Sequence, residues 1–115
     1  MYNQYFKKKE FFCKCGKCKS PEMPAELIQV LTDVREHFGK PVIINSGYRC
    51  PAHNAAVGGA KNSQHVLGTA SDIKVKGVDP SSVHDYLTKK YPDRYGIGKY
   101  NTFTHIDVRP NKARW

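Results

Sequence analysis

The stretch SGYRCPAHNAAVGGAKNSQHVLGTASDI, residues 46–73, places His65 and Asp72 seven positions apart among glycines and small polar residues, and FTHIDV at 103–108 adds His105. Two imidazoles and one carboxylate are the donor set with which hydrolytic zinc is held when a fourth position is left for water or substrate. A closed structural site would ask for a fourth protein donor. On spacing alone the histidine-to-aspartate motif is weakly specific, and the same residues also read as two unrelated histidines and an aspartate at a strand end.

Working outward, the apolar pattern assigns the elements that would carry these residues. Upstream, Leu27, Val30, Leu31, Val34 and Phe38 recur at helical spacing after Pro21 or Pro24, and Gly39 ends the run. Val42, Ile43 and Ile44 then read as a strand buried on both faces, delivering Asn45, Ser46, Gly47, Tyr48 and Arg49 at its end. Pro51 opens a short helix closed by Gly58 and Gly59. The polar segment 60–68 places His65 on a loop outside the core.

Alternation makes residues 70–75 a strand with Ile73 and Val75 on one face and Ala70, Asp72 and Lys74 on the other. Asp79 and Pro80 start a helix whose apolar stripe is Val83, Tyr86, Leu87 and Tyr91, with His84 at the surface. YGIGKY at 95–100 is a strand weakened by glycine, an Asn101-Thr102 turn follows, and 103–109 is the last strand, turning His105 and Asp107 to one face. If 70–75 and 103–109 are antiparallel neighbours, both metal-donor groups face one cleft. The fold expected is a small α+β domain with helices packed on a central antiparallel sheet.

At 115 residues the chain is one domain, because single cores commonly occupy roughly 100 to 150 residues. Residues 1–20 form a basic, cysteine-containing, extended arm anchored by Phe11 and Phe12, and 21–115 form the body. No apolar run approaches the roughly 20 residues that span a bilayer. The N-terminus lacks the apolar stretch and cleavage site of a secretory signal.

A formal net charge of +9 favours a polyanionic partner, whether nucleic acid, an acidic membrane surface or anionic cell-wall polymer. No recognised nucleic-acid module accompanies it, so no specific nucleic acid is expected, and a monomer is. Cys13, Cys15 and Cys18 in CKCGKC, with Cys50, read as a structural metal site, a local disulfide or reduced thiols.

The SGYR strand end, the block S-x-H-x-x-G-x-A-x-D from Ser63 through His65, Gly68 and Ala70 to Asp72, and H-x-D at His105 and Asp107 together resemble the zinc D-Ala-D-Ala carboxypeptidase family of metallopeptidases. That family includes phage endolysin peptidases, and the resemblance covers most of the chain. It implies zinc on His65, Asp72 and His105, Arg49 contacting substrate, and peptidoglycan stem peptides as that substrate. Ser46, Tyr48 and Gln64 beside these motifs are further candidates for binding substrate.

Arg49 is the candidate for stabilising a developing oxyanion. Asp107 is either the proton-transfer group or a residue that orients a ligand imidazole. Two and three positions before His105, where many relatives carry an acidic residue or histidine, this sequence has Phe103 and Thr102. A non-catalytic, zinc-containing cell-wall-binding module is the alternative that this departure suggests. Action at the cell wall without a signal would suit a phage-type lysis protein or a fragment of a longer exported chain.

Overall fold

The computed structural model describes residues 5–14, 16, 23–58 and 63–115. After a single 3-10 turn, Lys8–Phe11, the elements run α1 (Ala25–Phe38), β1 (Val42–Ser46), α2 (Pro51–Ala56), α3 (Gln64–Leu67), β2 (Ala70–Val75), α4 (Pro80–Lys90), β3 (Gly96–Lys99), β4 (Thr104–Asp107) and β5 (Ala113–Arg114). One five-stranded sheet has the order β1-β2-β4-β3-β5. Its pairs are antiparallel except β3 with β5, which are parallel. The α+β architecture expected is present, with a mixed sheet because the C-terminal strand was not foreseen.

Helix α1 ends where Gly39 takes φ 63°, a left-handed conformation that a side chain resists, and its N–H returns to the Arg35 carbonyl. Leu27, Ile28, Val30, Leu31 and Val34 are all buried against the sheet, joined by Val83 and Leu87 of α4. The sheet answers with Val42, Ile44, Ile73, Val75, Ile97 and Ile106. Each such side chain contributes about 1.5–3 kcal/mol by leaving water. With both main helices on this face, the opposite face is left for polar residues.

Four expectations need correction. Strand β1 buries Val42 and Ile44 but leaves Ile43 50% exposed, because β1 is the sheet's edge and only one of its faces meets the core. Phe12 is 46% exposed, and the described part of the arm is anchored by Phe6 and Phe11. The arm is also not extended throughout: Lys7 and Glu10 close the 3-10 turn, with the Glu10 carboxylate accepting from the Lys7 N–H at 2.8 Å. His65 is not on an exposed loop but inside the one-turn helix α3 and buried.

Candidate metal centre

The register of β2 and β4 sets Asp72 directly opposite His105. On β3, Gly98 is opposite His105 and Gly96 opposite Asp107. These residues share the sheet face turned away from α1 and α4, as the alternation of side chains along a strand requires. The third donor arrives from α3. Ser63 caps that helix, its Oγ accepting from the His65 N–H at 3.1 Å, and Gly68 ends it in the left-handed region.

The imidazole tautomers follow from the neighbours. His65 Nδ1 lies 2.7 Å from the Gly47 carbonyl, which only accepts, so Nδ1 carries the hydrogen and Nε2 is left facing Asp72 Oδ1 at 3.2 Å. His105 Nε2 lies 2.7 Å from the Asp107 carboxylate and donates to it, while Nδ1 stands 3.0 Å from the same Asp72 Oδ1. Three acceptor atoms thus converge, and the possible donor atoms of His65, Asp72 and His105 all lie within 4.8 Å of one another. Such convergence requires a cation, either a proton or a metal ion. The donor set and its geometry fit zinc.

Without a metal ion, a proton must do this work. Burial would lower the basicity of His105, but its hydrogen bonds to Asp107 and Asp72 outweigh that and raise it. Burial would raise Asp72, yet the hydrogen bonds from His105 and His65 prevail and hold it at about 2.

Asp107 is fully buried and strongly committed. Its Oδ1 accepts from the Gly96 N–H, the Arg109 N–H and Arg109 Nε, at 3.2, 3.2 and 2.8 Å, while Oδ2 accepts from Arg109 Nη2 at 2.8 Å. Burial is overcome by these bonds and by His105, so its carboxyl stays well below the usual carboxylate range. There is no space for a side chain at position 96, where a Cβ would collide with the Asp107 carboxylate and Arg109 Nε.

The donors lie in an open cleft of about 500 Å³ whose lining includes Arg49, Ser63, Gln64, Tyr100, Phe103 and Trp115. Arg49 is held at its backbone by the His65 carbonyl, 3.1 Å from its N–H, and its Nη2 reaches Ser63 Oγ at 3.5 Å. Among the described residues its buried Nε has no hydrogen-bond partner. Of the other residues read as substrate contacts, Gln64 lines the cleft and its Oε1 accepts from Thr69 Oγ1 at 2.7 Å. Tyr48 packs against the hydrophobic core, and Ser46 lends its carbonyl to Ser71 Oγ at 3.4 Å; neither is in the cleft lining.

Sequence reasoning did not find Trp115 or Arg109. Pairing of β5 with β3 carries Trp115 alongside Gly98, where a Cβ would collide with the indole. The indole ring lies 4.9 Å from His105 and donates from Nε1 to the Tyr100 hydroxyl at 2.8 Å. Tyr100 in turn stacks on Phe103 with centroids 4.4 Å apart. The available signal was the pair of glycines in GIGK, since glycine within a strand marks close approach of another group.

An α+β domain that presents two imidazoles and a carboxylate in an open cleft belongs in kind with metal-dependent hydrolases. A family model described as Peptidase M15 matches residues 4–107, and the chain belongs to this family, that of the zinc D-Ala-D-Ala carboxypeptidases. No curated protein matches the chain. Membership supports a zinc metallopeptidase of the peptidoglycan-acting type. Among the described residues no helix is long and apolar enough to cross a membrane.

Proposed function

We propose that this protein hydrolyses peptide bonds of bacterial peptidoglycan stem peptides or cross-links, as a D-Ala-D-Ala carboxypeptidase or an endolysin-like peptidase. The observation that carries the reading is the convergence of His65 Nε2, His105 Nδ1 and Asp72 Oδ1 in an open cleft. Those three residues would hold zinc, which when bound supplies a Lewis acid that polarises a carbonyl and brings the pKa of water toward about 7.

The chain's own residues do the rest. Arg49 offers its guanidinium, whose Nε has no partner among the described residues, to the scissile carbonyl or a substrate carboxylate, where paired hydrogen bonds both orient and stabilise developing charge. Gln64 lies on the same wall and contacts the peptide. Asp107, with its oxygens already occupied by Arg109, the Gly96 N–H and His105, acts through His105 and positions that imidazole. Trp115, Tyr100 and Phe103 form an apolar wall that excludes water from one side of the cleft.

A second reading is a non-catalytic cell-wall-binding module with the same zinc site. It is favoured by one observation: among the described residues lining the cleft, Asp72 carries the sole side-chain carboxylate, and the two imidazoles belong to the donor set. The remaining proton carriers there include the hydroxyls of Ser63 and Tyr100. Mass spectrometry of peptidoglycan fragments, with and without a chelator and zinc restoration, separates the readings. Metal-dependent mass loss that disappears in His65→Ala establishes hydrolysis and identifies the bond; zinc-loaded protein that binds the wall and leaves every fragment intact establishes the module. The setting we infer is the cell wall, reached by a phage-type lysis route or as part of a longer exported protein, with the peptidase acting as a monomer.

A further inference from the structure

We propose that Cys13 and Cys50 are ligands of a second metal ion, a structural one held by thiolates and separate from the His65, Asp72 and His105 centre. Their Sγ atoms lie 3.7 Å apart although the residues are 37 positions apart in the chain. Two thiolates on one tetrahedral ion with metal–sulfur bonds of about 2.3 Å stand about 3.8 Å apart. A disulfide would need about 2.05 Å. The spacing is that of two neighbouring corners of a tetrahedral thiolate site.

One further hydrogen bond fits a metal-bound sulfur here. The Cys50 N–H donates to Cys13 Sγ at 3.3 Å, a bond that is stronger to a thiolate than to a thiol. Soft thiolate donors select zinc over magnesium or calcium. The chain's other two cysteines, Cys15 and Cys18, lie outside the described residues.

The location gives such an ion a task. The Tyr48 N–H donates to the Phe11 carbonyl at 3.0 Å, and Gly47 sits so close to the Phe11 backbone that a Cβ would lie 2.8 Å from its Cα. The arm is therefore laid along the connection from β1 to α2, and Cys50 is the capping residue of α2. This connection also provides Arg49 and the Gly47 carbonyl that orients His65. An ion between Cys13 and Cys50 would staple the arm to the segment that builds the cleft.

The inference does not depend on hydrolysis, and metal counting tests it. Full-length protein prepared with reductant and zinc is expected to hold two ions per chain, falling to one in His65→Ala and to one in Cys50→Ser. Cobalt replacement should give thiolate-to-cobalt charge-transfer absorption in the near ultraviolet that persists in His65→Ala. Because Cys13 is buried and its variants risk misfolding, the wild-type cobalt spectrum decides by itself. A single zinc that vanishes in His65→Ala, a cobalt spectrum without thiolate absorption, or a Cys13–Cys50 disulfide mapped in zinc-loaded native protein would each overturn the proposal.

Discussion

His105 donates from Nε2 to Asp107 Oδ2 at 2.7 Å, and this bond leaves Nδ1 as the nitrogen that faces Asp72. The arrangement is rigid because Arg109 grips the same carboxylate through Nε and Nη2, both at 2.8 Å. A surface charge pair would be worth little, but here the carboxylate is fully buried, so its partners determine whether it is tolerated at all.

Asp107→Asn therefore tests orientation separately from coordination. The amide keeps the size of the side chain but loses the charge that fixes the imidazole tautomer and pairs with Arg109. Zinc affinity should fall about 10–100-fold, the usual loss when a partner of a ligand histidine is removed, with the far-ultraviolet circular dichroism unchanged. Competition with a chromophoric chelator measures it, and unaltered affinity would show that Asp107 does not position His105.

The chain has one tryptophan, and Trp115 lies beside the donor set, so intrinsic fluorescence reports on the cleft without labelling. Zinc addition to metal-free protein should change emission, and His65→Ala should abolish the change. In Gly98→Ala the new methyl collides with the indole and displaces it from His105 and Tyr100, so emission should shift toward that of a solvated indole. Unshifted emission in a folded Gly98→Ala protein would mean the indole does not lie over this glycine in solution.

The strands bearing Asp72 and His105 were legible because each alternates, which assigns each donor to the strand face opposite its β-branched residues. The α1 and α4 stripes were legible for the same kind of reason, a fixed period. His65 was read as exposed because a four-residue helix has no period to detect, and its burial comes from Gly47 and the neighbouring strands. Ile43 was read as buried because a run of β-branched residues does not reveal whether its strand is central or at an edge. Trp115 was beyond reach since β5 has just two residues, and its place depends on the Lys99 N–H donating to the Trp115 carbonyl and on Arg114 bonding the carbonyls of Tyr91 and Tyr95.

Removing Arg49 should affect turnover and spare stability. Among the described residues its Nε has no partner to lose, and its contact to Ser63 is long at 3.5 Å. Arg49→Ala is expected to lower kcat/KM on a stem peptide by about 100–1,000-fold, as loss of an oxyanion donor does, with a change in unfolding free energy within about 0.5 kcal/mol. Arg49→Lys should recover only part of the rate, since an ammonium keeps charge but not the planar fork. Equal rates for the two variants and wild type would remove Arg49 from the reaction.

The net charge of +9 predicts a split between substrates. Attack on intact, anionic cell wall should slow as salt rises, because exposed charges are screened within about 8 Å at physiological ionic strength. Cleavage of an isolated soluble stem peptide should respond much less. Parallel rate measurements over a salt series check this, and identical salt responses would show that long-range attraction plays no part in reaching the wall.

Two tyrosines predict how stability responds to alkali. Tyr91 and Tyr95 donate their hydroxyls to Asp33 and Glu26 at 2.6 and 2.7 Å, joining α1 to the end of α4 and to the start of β3. Burial first, and then the hydrogen bond to Glu26, push the Tyr95 phenol up to about 12, while burial and then the hydrogen bond to Asp33 push Tyr91 upward. The folded state thus prefers the neutral phenols, whereas the unfolded chain ionises near pH 10. Their contribution is whole below about pH 10 and is lost as pH climbs through the folded values, since the unfolded chain then releases protons that the native state retains. Urea unfolding midpoints measured from neutral pH to about 11 should fall steeply above pH 10. Tyr95→Phe should lower stability at neutral pH by about 1–3 kcal/mol, as expected for a hydrogen bond to a charged group, and make the alkaline decline shallower. A variant with unchanged slope above pH 10 would show that this phenol is not held neutral by Glu26.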